Sequence, residues 1–305
     1  MPAAPSYFSV RFSIKDLEFF SGIKAHTIRA WERRHGLLHP SRSGTNIRSY
    51  GPEDLRTLLN ISLLLKKDMP ISQVAALSKQ EREEIIRTGA GAERGKDQAL
   101  NALKMATVTF DEELFEATSR NYRVDHGFEA LVENLYLPLL TMLGLLWQSA
   151  TISPAQEHFA SNLVRQKLIS AIDSLPLGRN HDGPTVVLYL PENEIHELGL
   201  LYLHYRLRRE GRRTLYLGES VPMADLVGVA REWPGPLAIC AILTVHPRPP
   251  EVLPYLEDLA QRLPDVQFHF CGPALQPLEG RSLPECIHVH PDIAALVSAL
   301  HPFSQ

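Results

Sequence analysis

The spacing of apolar residues changes twice along this chain. Up to about residue 78 the pattern breaks into short segments divided by turn formers. Phe12–Gly22 reads as a short helix, with Ser13 as N-cap and Gly22 as terminator. A second helix is expected from His26 to Arg34, with Ile23, Ile28 and Trp31 inward and Lys24, Arg29, Arg33 and Arg34 outward. Pro40–Tyr50 is turn-rich and predicts a β-hairpin. Pro52-Glu53-Asp54 then opens a helix carrying Leu55, Leu58, Leu59 and Ile61. From Ala99 to about Leu175 the period is helical: Leu100, Leu103 and Met105; Leu114 and Phe115; Phe128, Leu131, Leu135 and Leu139; Phe159, Leu163 and Leu168. Four such helices predict a bundle. The third pattern begins at the unbroken run Thr185–Leu190, a buried strand. Helix Glu197–Arg209, strand Arg213–Leu217, helix Met223–Trp233, strand Leu237–Thr244 and helix Glu251–Arg262 follow. Strands Val266–Phe270 and Ile287–His290 and a terminal helix complete a doubly wound parallel sheet.

Between the first two patterns, Ser78–Gln98 is charged and rich in small residues, including Gly89-Ala90-Gly91, and reads as a linker, partly helical at its start. The chain is therefore multidomain, α followed by α/β. Residues 1–78 form a winged helix-turn-helix, 79–98 a linker, 99–178 a four-helix bundle and 179–305 the parallel α/β domain. A length of 305 residues suits this division, and 44% hydrophobic with 22% charged residues is a soluble globular composition. Leu135–Trp147 is too short for a membrane span, and the N-terminus lacks a basic-then-apolar leader. Cys240, Cys271 and Cys286 are few, odd in number and without metal-type spacing, which points to a reducing cytoplasm. Residues 1–78 hold 11 Lys/Arg against 6 Asp/Glu, so the remainder carries nine net negative charges to reach the overall −4. A basic head on an acidic body suits phosphate binding, and it equally describes an ordinary solvated face.

Two helices joined by a Gly-containing turn, the second of them basic, form a helix-turn-helix. The order "IRAWERRHGLL", "RSGTNIRSY", "PEDL" over residues 10–78 is similar to the winged-helix head of the MerR family, and "AWERR" resembles its cobalamin-sensing branch. The resemblance implies that the second helix enters the major groove of operator DNA while the wing meets the backbone. Lys24, Arg29, Arg33 and Arg34 become DNA-binding candidates, Arg29 and Arg33 for the groove; Arg42, Arg48 and Tyr50 become candidates for backbone contacts. The bland reading makes the arginines surface charges and has Tyr50 pack the wing. Trp31 is read as core.

Two further motifs carry chemistry. Trp147 closes an apolar helix, and nine residues later Glu157-His158 opens another, with Pro154 in its first turn. Read alone, Trp147 is core and Glu157-His158 a polar helix start. After the first strand of the α/β domain comes Glu194-x-His196-x-x-Gly199, at the strand end where such sheets bind ligands. A neutral imidazole is a good donor to cobalt, and a nearby carboxylate fixes its tautomer. A glycine here could let a nucleotide tail pass close to the backbone. Together these patterns resemble the helical cap and the flavodoxin-like, cobalamin-binding domain of the MerR relatives. The resemblance implies His196 as lower axial cobalt ligand, with the base displaced into a tail pocket. It also implies Trp147 over the upper corrin face and Glu157-His158 at the upper ligand. The tail-lining positions are Cys240, Thr244 and Cys271-Gly272, where the family usually has a serine for Cys240 and a Gly-Gly pair for Cys271-Gly272. Cys240 lacks a good hydroxyl donor, and Cys271 adds a side chain. Gln148 stands where light-sensing relatives can carry a histidine.

The resemblance implies a non-enzymatic cytoplasmic regulator, a repressor, that binds adenosylcobalamin. In such relatives the intact ligand supports a homo-oligomer, dimer or tetramer, on operator DNA, and light disperses it. An alternative keeps DNA binding and makes the α/β domain a scaffold for oligomerisation or for an antirepressor protein. A methyl-carrying corrinoid protein is a third reading, opposed by the winged helix.

Overall fold

The structure, a computed structural model, describes residues 11–42, 47–88, 92–148, 151–177 and 183–300. The expected wing tip Ser43–Asn46, the Gly89–Gly91 segment and the Gln148 side chain lie outside the described part. The chain divides into two compact units, residues 1–161 and 162–305.

The first unit opens with helix α1 (Ile14–Ser21), started by a reciprocal cap in which Ser13 Oγ accepts from Asp16 N and Asp16 accepts from Ser13 N. Gly22, at φ +73°, ends it. Helix α2 (Ala25–His35) follows, then strands β1 (Ser41–Arg42) and β2 (Arg48–Ser49), paired antiparallel, and helix α3 (Pro52–Leu65). Leu17, Phe20, Ile28, Leu55, Leu58 and Leu59 are fully buried and form the core of the head. Helices α4 (Ile71–Ala76) and α5 (Lys79–Thr88) pack onto α3 through Val74 and Ile86.

The expected linker is thus largely helical: α5 occupies its first half, and α6 (Ala92–Thr109) begins within its second. Lys, Gln, Glu and Arg are good helix formers, and Ser78 and Glu81 exchange a second capping box. Helices α7 (Glu112–His126), α8 (Phe128–Leu131) and α9 (Leu137–Gln148), with α10 (Pro154–Asp173), supply the remaining expected helical segments. A π-helical stretch, Val132–Tyr136, joins α8 to α9. The continuous run Phe128–Trp147 is 20 residues long and, by length and composition, apolar enough to cross a membrane, which corrects the expectation that this segment is too short. The helical stretch starts at Phe128 rather than Leu135, and its Leu131, Val132, Leu135, Tyr136, Leu139, Leu143 and Leu146 are buried against protein.

The second unit contains a five-stranded parallel sheet: β3 (Thr185–Pro191), β4 (Thr214–Val221), β5 (Leu237–Ile242), β6 (Gln267–Cys271) and β7 (Ile287–Val289), in spatial order β4-β3-β5-β6-β7. That is the flavodoxin-like order, with its reversal between β3 and β5. Alternate residues feed two cores. Val187, Tyr189, Ile239, Phe268 and Phe270 pack under α12 (Met223–Glu232) and α13 (Pro249–Arg262). Val186, Leu188, Cys240, Ile242 and Cys271 pack under α11 (Leu198–Arg209) and α14 (Ile293–Ala299). All seven residues of β3 are buried, as expected of a strand covered on both faces.

Candidate DNA interface and histidine loop

Helix α2 holds Lys24 at its N-cap and exposes Arg29, Arg33 and Arg34, while its Ile28 faces the core and Trp31 packs against the cluster around Ile61, Leu64 and Val74. Arg42 is exposed on β1. Glu18 starts α2 by accepting from Ala25 N and also pairs with Lys24 at 3.0 Å. Lys24 is 71% exposed, so this ion pair is weak and leaves the lysine able to meet a phosphate.

Arg48 and Tyr50 behave differently. Glu32, on α2, accepts from Arg48 Nε through Oε1 and from the Tyr50 hydroxyl through Oε2, each at 3.0 Å. Tyr50 is 0% exposed, and its pKa is pushed up to about 12, first by burial and then by Glu32. Tyr50, expected at the DNA backbone, has its hydroxyl buried and bonded to Glu32. Arg48 is half-buried and its charge is committed to the same carboxylate, so it braces the wing against α2.

The second site lies at the reversal point of the sheet. After β3 the chain turns through Asn193, at φ +70°, and lays Glu194 into the interior, fully buried. Glu194 Oε1 accepts from His196 N at 2.9 Å and lies 2.5 Å from His196 Nδ1. Oε2 accepts from Val245 N at 2.6 Å and His246 N at 2.8 Å, in the loop after β5. Ser220 N donates to the Glu194 carbonyl, bringing in the end of β4. Burial raises the Glu194 pKa, but the His196 ring and three backbone N–H donors outweigh it and hold it at about 2. A charged carboxylate therefore fixes the loop and orients His196, whose side chain is 51% exposed.

With Nδ1 donating to Glu194, the neutral ring carries its lone pair on Nε2, the arrangement of a metal-ligating histidine with an outer carboxylate. Among the described residues no group of three His, Cys, Asp or Glu side chains is placed to hold a metal ion. A single well-oriented imidazole suits a metal that arrives already ligated on its other sides, so the donor set fits the cobalt of a corrinoid.

The other expected site residues divide. Trp147 is 53% exposed at the end of α9 and is not core. Glu157 and His158, in the first turn of α10, pair through Oε2 and Nδ1 at 2.8 Å. Gly199, expected to leave room for a nucleotide tail, also serves packing: a Cβ there would lie 3.2 Å from Ile242 Cγ2, so the glycine lets α11 approach β5. Cys240 and Cys271 are core residues under α11 and α14, and burial raises both thiol pKa values, that of Cys271 to about 12. Gly272, at φ +123°, is required because a Cβ would fall 2.3 Å from Leu243 O; its neighbourhood is filled by backbone. Thr244 is half-buried in the loop that binds Glu194. Glu18 and Glu32 went unmarked in the sequence because a lone carboxylate beside basic residues looks like ordinary charge.

Comparison with known proteins finds two matching regions. Residues 12–81 match the MerR HTH family of regulatory proteins, and residues 99–170 match a B12 binding domain. The HTH-type transcriptional repressor CarH of Myxococcus xanthus is 35% identical over 217 residues, 68% of this chain and 70% of that protein. The HTH-type transcriptional repressor CarA of the same organism is 32% identical over 220 residues, 70% of each. The monomethylamine corrinoid protein of Methanosarcina barkeri shares the fold at 13% identity, with a TM-score of 0.52 over 67% of this chain and 97% of that one. A MerR head followed by a B12-binding region, in a sequence aligned with CarH over most of its length, places this chain in the MerR family as a CarH-type regulator.

Proposed function

We propose that this chain is a cytoplasmic transcriptional repressor that binds operator DNA through α2 and the wing and senses adenosylcobalamin through His196. The observation that carries the reading is the Glu194–His196 pair, one buried charged carboxylate aligning one exposed imidazole at the reversal point of the sheet. It is joined in one chain to a basic winged helix, and two relatives are named as repressors. Cobalamin, when bound, would supply a cobalt with an exchangeable ligand. His196 would hold the cobalt, and Trp147, Glu157 and His158 are the further residues assigned to the group. Arg29 and Arg33 enter the groove, and Lys24, Arg34 and Arg42 meet phosphates. A homo-oligomer, dimer or tetramer, is the DNA-binding form; ligand control requires that the ligand bind this form more tightly than the dissociated one. The role is regulatory and not enzymatic.

The test is reconstitution with adenosylcobalamin in the dark, removal of excess, and visible spectra before and after green light, for wild type and His196→Ala. Retained colour that depends on His196, with operator binding that weakens on illumination, is the expected result. Retained colour with an unchanged gel shift removes light from the proposal. A colourless protein that still binds its operator favours the second reading, in which the α/β unit is a scaffold for oligomerisation or an antirepressor. The close packing of Cys240, Cys271 and Gly199 at the positions assigned to the tail supports that alternative.

A further inference from the structure

A second carboxylate follows His196 directly and takes no part in the Glu194 network. Glu197 stands at the N-cap of α11, its side chain largely buried. Its backbone closes the histidine turn: Glu197 N donates to Ile195 O at 2.9 Å, and Leu201 N donates to Glu197 O at 2.8 Å. Its side chain is held from two directions. Oε1 lies 3.0 Å from Arg165 Nη1, on α10, and Oε2 accepts from the Tyr216 hydroxyl, on β4, at 3.0 Å. Burial and Glu197 raise the Tyr216 pKa, so the phenol stays a donor, and its ring stacks on His204 of α11 at 5.0 Å.

This arrangement is a poor way to gain stability. A half-buried ion pair loses solvation that an apolar pair of the same size would not lose. Arg165 also leaves its buried Nε without a hydrogen-bond partner. What the arrangement does provide is position. His196 sits between two anchored carboxylates, Glu194 fixing the ring and Glu197 fixing the backbone that follows.

We propose that Arg165, acting through Glu197, is a positioning residue for cobalt ligation by His196. The inference rests on the assignment of His196 as the cobalt ligand. Arg165 and Tyr216 hold Glu197, Glu197 holds the turn, and the turn sets the direction of His196 Nε2. Outer-shell partners of this kind change metal affinity by about 10- to 100-fold when removed.

The experiment titrates full-length protein with cob(II)alamin and reads the nitrogen splitting of its electron paramagnetic resonance spectrum, using protein with 15N-labelled histidine. Wild type, Arg165→Met, Arg165→Lys, Glu197→Gln and the Arg165→Met/Glu197→Gln pair are compared, with His196→Ala as reference. Arg165→Met and Glu197→Gln are each expected to weaken binding about 10-fold and reduce the histidine-ligated fraction. The double variant should be no worse than either single one, and Arg165→Lys should recover part of the loss. Hydrogen exchange at the Glu197 and Leu201 amides of ligand-free protein should accelerate in Arg165→Met. Wild-type affinity and splitting in Arg165→Met, or additive losses in the pair, overturn the proposal. If Arg165→Met does not melt cooperatively, Glu197→Gln and Tyr216→Phe decide it by the same readout. If wild type shows no His196-dependent splitting, the ligand assignment itself fails, and this inference with it.

Discussion

Glu194 and Val245 are 51 positions apart in sequence, yet the Glu194 carboxylate accepts the Val245 backbone N–H at 2.6 Å. That bond, with its neighbour from His246, ties the loop after β3 to the loop after β5 across the reversal of the sheet. Glu194→Ala would leave three backbone N–H donors and the His196 ring without their acceptor. Hydrogen bonds to charged groups are worth about 1.5–3 kcal/mol each, and relaxation and water recover part of that, so a loss of about 2–4 kcal/mol is expected in urea unfolding. Affinity for cobalamin should fall about 10- to 100-fold. Wild-type stability and affinity in this variant would remove Glu194 from the site.

The same carboxylate gives a pH signature. Its pKa is about 2 in the fold against an ordinary 4.5, so its contribution is complete above about pH 4.5 and is lost as pH falls toward 2. A depression of this size corresponds to about 3 kcal/mol. His269 adds a slope at higher pH: burial, then His288 and His290, hold it at about 4, below its ordinary 6.5, so stability falls as pH drops from about 6.5 to 4. Unfolding free energies from pH 7 to 3 should therefore decline in two phases, the lower shallower in Glu194→Gln and the upper shallower in His269→Gln. A single phase unchanged by either substitution contradicts this.

In the head, Tyr50 and the exposed arginines should separate cleanly. Tyr50→Phe removes a buried hydroxyl from Glu32 and should cost about 1–2 kcal/mol of stability, with the salt dependence of operator binding unchanged. Arg42→Ala should lower the slope of log affinity against log salt by about one, as loss of a phosphate contact does. Arg29→Ala or Arg33→Ala should instead reduce discrimination between operator and unrelated DNA by about 1–3 kcal/mol. Equal effects from Tyr50→Phe and Arg42→Ala on the salt slope would reverse the assignment.

Two glycines should respond unequally to alanine. At Gly272 the new Cβ would meet Leu243 O at 2.3 Å with φ at +123°, so Gly272→Ala should cost at least about 3 kcal/mol or prevent soluble expression. At Gly199 the clash is with one methyl of Ile242 at 3.2 Å, and a loss of about 1 kcal/mol is expected. Thermal melts of the two variants check the order.

Helix boundaries and sheet class were legible because they rest on local periodicity. Ser13 and Gly22 announced the two ends of α1, and the apolar run Thr185–Leu190 announced a strand covered on both faces. Ser78-x-x-Glu81 carries a capping signal for α5, where the segment is read as partly helical, but the small residues at Gly89–Gly91 give its remainder the look of a linker. The membrane-length run was underestimated because Glu129, Glu133 and Asn134 interrupt the apolar count without interrupting the helix.

By itself the sequence determined the order of elements, the basic head and the Glu-x-His turn at a strand end, since each depends on residues a few positions apart. Tertiary structure decided which polar groups meet. Glu32 takes Arg48 and Tyr50, Glu194 reaches the loop after β5, and Arg165 and Tyr216 hold Glu197. Carboxylates and their donors carry no periodicity and pair over any sequence distance, so the partner of each is fixed only when strand order and helix packing bring the two into the same dry space.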